Sequence, residues 1–253
     1  MAKVLAITNQ KGGVGKTTTA VNLCTSMALY KRKTLLIDID PQGNASTGIG
    51  LDKIKVKRCI YDVLINQIPI KEIILPTQVK NLDILPSTIQ LAGAEIELVN
   101  HISRENKLKH AIKSIKDDYN YIIIDCPPSL GLLTLNSLTA ADAVIIPIQC
   151  EYYALEGIGQ LLHTINLVRE NLNSSLEIEG ILLTMYDNRT NLSRDVVKEV
   201  QKHFKGKIFK AVVPRNVRVS EAPSYGKPVV LYDAKSKGAM AYKKLAQEVI
   251  SNG

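Results

Sequence analysis

Apolar residues in this chain gather in short, nearly continuous runs, separated by longer stretches in which apolar positions return at helical spacing. The runs are "KVLAIT" (3–8), "TLLIDID" (34–40), "LDILPS" (82–87), "YIIIDCPPS" (121–129), "AVIIPI" (143–148) and "IEGILLT" (178–184). Runs without polar alternation mark strands covered on both faces, as in a parallel sheet. Between them, residues 16–30, 88–99, 105–116, 130–141, 153–171 and 193–203 carry the helical pattern. The alternation predicts an α/β fold: a doubly wound, mostly parallel sheet flanked by helices. No internal repeat, low-complexity segment or linker divides the chain, so residues 1–253 are read as one domain. Because the first strand is expected from about residue 3, any contact with DNA is expected from the α/β body rather than from a helix-turn-helix module ahead of it.

Composition narrows the class of protein. At 253 residues with 45% hydrophobic content, the chain can bury a substantial core. No apolar run approaches the roughly 18 to 20 residues that cross a bilayer, and the N-terminus lacks the pattern of a signal peptide, so a cytoplasmic protein without stable membrane insertion is expected. Cys24, Cys59, Cys126 and Cys150 form no C-x-x-C pair and are read as reduced, mostly buried thiols. Net charge is +8, and its placement matters more than its size: residues 181–253 hold 14 Lys and Arg against 6 Asp and Glu, whereas residues 1–180 are balanced at 18 and 18. That asymmetry fits a polyanion partner, with a basic surface kept for solubility as the alternative.

The chemistry begins in "TNQKGGVGKTTT" (8–19). A phosphate loop, G-x-x-x-x-G-K-[ST], offers backbone N–H groups to phosphate oxygens, a lysine to the β and γ phosphates and a hydroxyl to Mg2+. Gly15, Lys16 and Thr17 fill its last three places, but Gln10 stands where the first glycine belongs, with Gly12 and Gly13 loosening the loop instead. Lys11 is a second departure. Four residues ahead of Gly15, it is poorly placed for the phosphates that Lys16 serves. It is either a solvated loop lysine or one that reaches phosphates held by a second subunit, which would tie dimerisation to nucleotide.

Acidic residues close two of the apolar runs, at the sheet edge where open α/β folds bind ligands. Asp125, ending "YIIID", is expected beside Thr17, holding Mg2+ through a water while the Thr17 hydroxyl binds the metal directly. Asp38 and Asp40 in "IDIDPQGN" are expected on one side of their strand. Asp40 is the candidate to orient the attacking water and Asp38 a residue that supports it, with plain turn residues before Pro41 and Gly43 as the alternative.

The segments "KGGVGKTTT", "DIDPQGNAST", "IIIDCPPSLG" and "VPRNVRVSEAPSYGKP" together resemble the ParA/Soj partition branch of the deviant Walker A, P-loop ATPases, and the resemblance covers essentially the whole chain. The glycine loop alone would also admit the MinD, nitrogenase iron protein and cobyrinate synthase relatives. The resemblance implies a slow ATPase for chromosome or plasmid partitioning. Its ATP-bound homodimer would bind double-stranded DNA without sequence preference on the nucleoid, and a ParB/Spo0J-type protein would stimulate hydrolysis and release. It implies that Lys11 reaches the partner's phosphates and that Gly12, Gly13, Val14, Gly15, Lys16, Thr17 and Thr18 bind ATP and Mg2+. It implies further that Lys11, Lys16 and Asp40 serve hydrolysis, that Pro214 and Asn216 lie near the adenine, and that Arg189 and Arg218 contact DNA phosphates. Lys198, Lys202 and Lys205, on or just after the helix expected over 193–203, can extend that surface, or each can be an ordinary solvated side chain.

Two rival readings have recognisable marks. A MinD-type, membrane-associated ATPase needs a lipid-binding amphipathic C-terminal helix, whereas "GAMAYKKLAQEVISNG" reads more easily as a last helix packed on the body. A metallocluster or metabolic enzyme needs reactive thiolates, and Cys126 is the only cysteine placed to supply one.

Overall fold

The computed structural model describes residues 1–151, 158–204 and 206–252. Among the described residues eight strands form one sheet: β1 Lys3–Ile7, β2 Thr34–Asp38, β3 Leu75–Pro76, β4 Leu82–Leu85, β5 Tyr121–Asp125, β6 Ala143–Gln149, β7 Glu177–Tyr186 and β8 Ile208–Pro214. Their order is β3-β4-β2-β5-β1-β6-β7-β8. Each of the pairings β1 with β5 and β6, β2 with β4 and β5, and β7 with β6 and β8 is parallel; the short edge strand β3 runs antiparallel to β4.

The helices are α1 Lys16–Leu29, α2 Asn44–Gly48, α3 Ile60–Leu64, α4 Leu91–Glu97, α5 Lys107–Lys113, α6 Leu132–Ala140, α7 Ile158–Asn171, α8 Asn191–His203, α9 Val217–Glu221, α10 Val229–Tyr232 and α11 Lys237–Asn252. Successive residues of the central strands feed opposite cores, as a period of two requires. Val4, Ala6, Leu35, Ile37, Ile122 and Ile124 pack with Leu108, Leu133 and Leu161 of α5, α6 and α7. Leu5, Ile7, Leu36 and Ile123 pack with Leu23 and Met27 of α1 and with Tyr242, Leu245 and Val249 of α11.

The expected α/β alternation stands, with element ends trimmed. The run 121–129 is strand only to Asp125, the stretch 88–99 is helix over Leu91–Glu97 followed by a turn of 3-10 helix, and the portion 153–157 of the expected helix 153–171 lies outside the described residues. Two strands went unforeseen. In β8, exposed Lys210 interrupts the apolar run, because an edge strand is covered less fully than a central one. Its backbone is instead protected by α11: Glu248 accepts the Lys210 N–H at 2.7 Å and the Lys244 ammonium donates to the Lys210 carbonyl at 3.1 Å.

The apolar face of α11 is committed to the core, as expected of a last helix packed on the body. Among the described residues no helix is long and apolar enough to cross a membrane.

Candidate nucleotide site

The parallel register brings the carboxyl ends of β1, β2 and β5 together, with Asp125 level with both Ile7 and Asp38. The glycine loop leaves β1 here and enters α1. Gly15 precedes the helix with φ +91°, and Gly13 has φ +76°, a region that a Cβ disfavours. No side chain caps α1, so its first N–H groups and the positive end of its dipole face outward, an arrangement suited to anions.

The loop is braced from both sides. Buried Asn9 donates to the Pro147 carbonyl at 2.8 Å and accepts the Lys11 N–H at 3.0 Å. Thr184, at the end of β7, donates to the Val14 carbonyl at 2.8 Å. Lys16 is only 7% exposed, and its ammonium donates to the Lys11 carbonyl at 2.9 Å. Burial pushes its pKa down, while the charges of Asp125 and Asp40 work against that shift.

Gly12, Gly13, Gly15, Lys16, Thr17 and Thr18 line a cavity of about 530 Å³, closed on its other sides by Asp40, Pro41, Gln42, Asn44, Met185 and residues 127–129. Asp40 is buried; it accepts the Gln42 N–H at 2.9 Å. Asp38 does not line the cavity. Its carboxylate accepts the Ser46 N–H and hydroxyl, each at 2.7 Å, and the Asp40 N–H at 3.2 Å, so it anchors α2 and the turn carrying Asp40. Burial pushes the Asp38 pKa up to about 6, against the pull of those hydrogen bonds.

Asp125 is the unusual group. Among the described residues, both of its carboxylate oxygens are buried without a hydrogen-bond partner. Burial, and then the neighbouring charge of Asp38, push its pKa well up, while the nearby Thr17 hydroxyl and Lys16 oppose the shift. An orphaned buried carboxylate next to a hydroxyl and a phosphate-type loop is a donor set suited to a hard divalent cation. Cys126 beside it is buried, and burial pushes its pKa up to about 12.

Other expected residues lie elsewhere. Pro214 is not in the phosphate cavity: it lines a separate cleft of about 490 Å³ with Tyr186, Asp187, Arg189 and Lys237. Asn216 accepts the Arg218 N–H at 3.0 Å and so begins α9. Arg189 is 83% exposed, yet both arms of its guanidinium meet Asp187, at 2.9 and 2.7 Å. Arg218 faces Glu221 at 2.9 Å and Asp233 at 3.6 Å. Lys198 pairs with Asp195 at 3.5 Å and Lys202 with Glu199 at 2.8 Å. Lys205 lies outside the described residues. Each described basic candidate therefore already has an acidic neighbour, in exposed pairs of the kind that contribute little to stability.

Sequence reasoning missed Asn9, Thr184 and Met185. Met185 adopts φ +51° at the cavity wall, a backbone region uncommon for any residue but glycine. A polar residue straight after a strand was the only available signal for Asn9.

A parallel sheet whose first strand feeds a glycine loop and an uncapped helix, with acidic strand ends facing that loop, defines a P-loop nucleotide-binding protein. An AAA-domain family model matches residues 2–178. Over its full length the chain is 60% identical to the sporulation initiation inhibitor protein Soj of Bacillus subtilis (strain 168), covering all of both chains. It is 55% identical to the chromosome partitioning protein ParA of Myxococcus xanthus, over 99% of this chain and 88% of that one. The crystal structure of cobyrinic acid a,c-diamide synthase from Mycobacterium smegmatis with bound ADP and magnesium superposes with a TM-score of 0.87 at 40% identity, covering 98% of this chain and 93% of that one. The chain belongs to the ParA/Soj family of chromosome-partitioning ATPases.

Proposed function

We propose that residues 1–253 act as one unit, an ATP-driven switch for partitioning a chromosome or plasmid in the cytoplasm, on the nucleoid. The observation that carries this reading is the pair of lysines on one braced loop above an orphaned carboxylate. In it, the N–H groups of residues 12–16 and the start of α1 hold the ATP phosphates, Lys16 leaves the Lys11 carbonyl for the β and γ phosphates, and Thr18 supports the phosphate end of the site. Thr17 would hold Mg2+ directly and Asp125 through a water. The metal, when bound, offsets the negative charge on the phosphates. Asp40 orients the water for attack, held in place by the turn that Asp38 anchors.

Lys11 reaches the nucleotide of a second copy of the chain, so ATP joins two subunits. Pro214 and Asn216 face the adenine; a cleft lined by Pro214 and by Tyr186, the residue after the cavity-lining Met185, supports this. Arg189, Arg218, Lys198 and Lys202 exchange their acidic neighbours for phosphates of non-specific duplex DNA, and a ParB-type protein speeds hydrolysis. The test is ATP turnover by the purified protein, alone, with random duplex DNA, and with DNA plus a ParB-type partner. Slow hydrolysis raised by the two together supports the reading; no hydrolysis in any mixture overturns it.

A further inference from the structure

Between β5 and α6, residues 127–131 form a wall of the nucleotide cavity, through Pro127, Pro128 and Ser129. Nothing on that segment itself caps α6: the residue before the helix is Gly131, which has no side chain to offer. The cap comes from another element. The Glu95 carboxylate, on α4, accepts the Leu132 N–H at 2.9 Å and the Leu133 N–H at 3.3 Å, one oxygen to each. An ionised carboxylate on the first N–H groups of a helix makes charge-assisted bonds and meets the positive end of the dipole. Gly131 leaves room for this approach, since a Cβ there would lie 2.6 Å from Glu95 Oε2 and 2.8 Å from Cδ.

We infer that Glu95 is a positioning residue for ATP hydrolysis: by clamping the start of α6 from α4, it fixes the cavity wall at residues 127–129 against the bound nucleotide. The inference rests on the ATPase reading above. A second tie strengthens it. The segment that leads into α4 is held at its own start, where the Ser87 N–H donates to the Ser46 hydroxyl at 3.1 Å, and that hydroxyl in turn donates to Asp38. The stretch from Ser87 to Glu95 is therefore bonded at one end to Ser46 of α2, which Asp38 holds, and at the other to the first residues of α6, which follow the wall. Loss of the Glu95 clamp loosens the start of α6, to which the wall is tied by the Thr134 hydroxyl donating to the Ser129 carbonyl at 2.6 Å, while leaving the glycine loop, Lys16 and Thr17 untouched. The effect falls on the rate of the bound complex and not on nucleotide affinity.

Single-turnover hydrolysis and ATP affinity measured on wild type, Glu95→Ala, Glu95→Gln and Gly131→Ala test this. The Gly131→Ala methyl displaces the carboxylate without removing it. Glu95→Ala and Gly131→Ala are expected to hydrolyse bound ATP about tenfold more slowly, with affinity within about threefold of wild type, because small misplacements of a site's wall cost rate. Glu95→Gln, which keeps one acceptor oxygen, is expected in between. A merely structural cap would lower melting temperature and leave the rate of the folded protein unchanged; that result, with Glu95→Ala at the wild-type rate, overturns this proposal alone. Wild-type protein that does not hydrolyse ATP overturns the ATPase reading and this proposal together.

Discussion

The ammonium of Lys16 donates to the backbone carbonyl of Lys11 across 2.9 Å, joining the two lysines of the loop through main chain on one side and side chain on the other. Because the acceptor is backbone, removing the Lys11 side chain leaves this bond and the Asn9 brace in place. Lys11→Ala is therefore expected to bind ATP within about threefold of wild type and to lose ATP-dependent dimerisation and DNA binding. Nucleotide titration and light scattering with ATP or ADP check this. A variant that still dimerises with ATP contradicts the role given to Lys11.

Asp187 holds both arms of the Arg189 guanidinium, and the arginine's bonds hold the Asp187 pKa down, at about 2. The pair is charged throughout the working pH range, so in the proposed interface DNA phosphates compete with Asp187 for the arginine. Asp187→Asn is expected to tighten binding to random duplex DNA, and Arg189→Ala to weaken it and reduce the slope of log affinity against log salt by about one. Fluorescence anisotropy across a salt series reads both. An unchanged slope in Arg189→Ala removes this residue from the interface.

Burial lifts the Asp38 pKa to about 6, whereas an unfolded chain has it near about 4. Between those values the folded state binds more protons than the unfolded one. The stability linked to this group is therefore present in full below about pH 4 and lost as pH rises through about 6. Asp38→Asn abolishes that loss. Melting temperatures of the nucleotide-free proteins from pH 5 to 7.5 should show the variant gaining on wild type as pH rises; a constant difference contradicts the shift.

Leu245 of α11 is fully buried against the sheet. Leu245→Ala is expected to cost about 2–5 kcal/mol of unfolding free energy, the usual range for such a truncation in a core. Urea unfolding measures it. A loss under about 0.5 kcal/mol would mean that α11 is not part of the core and would reopen the lipid-binding reading.

What the sequence discloses follows from how each residue is held. The buried strands β1, β2 and β5 are legible because both faces are covered and, after Lys3 and Thr34, their positions are apolar to Ile7, Ile37 and Ile124. The loop is legible because glycines and a lysine at fixed spacing have few other uses. β8 is obscured by Lys210, whose side chain faces solvent at the sheet edge. Glu95 is invisible for a different reason: its partners lie 37 and 38 residues away, and no local pattern records a hydrogen bond between α4 and α6. The pairing of Arg189 with Asp187 was open to inspection two residues apart, but only geometry reveals that it engages both arms of the guanidinium.

The most direct test of the partition reading uses an Asp40→Ala variant, expected to bind ATP without hydrolysing it, sedimented with random duplex DNA or with anionic liposomes, in ATP or ADP, at low and moderate salt. The account predicts sedimentation with DNA in ATP only, weakened by salt, and none with liposomes. Sedimentation with liposomes, or DNA binding that is the same in ADP, would contradict it.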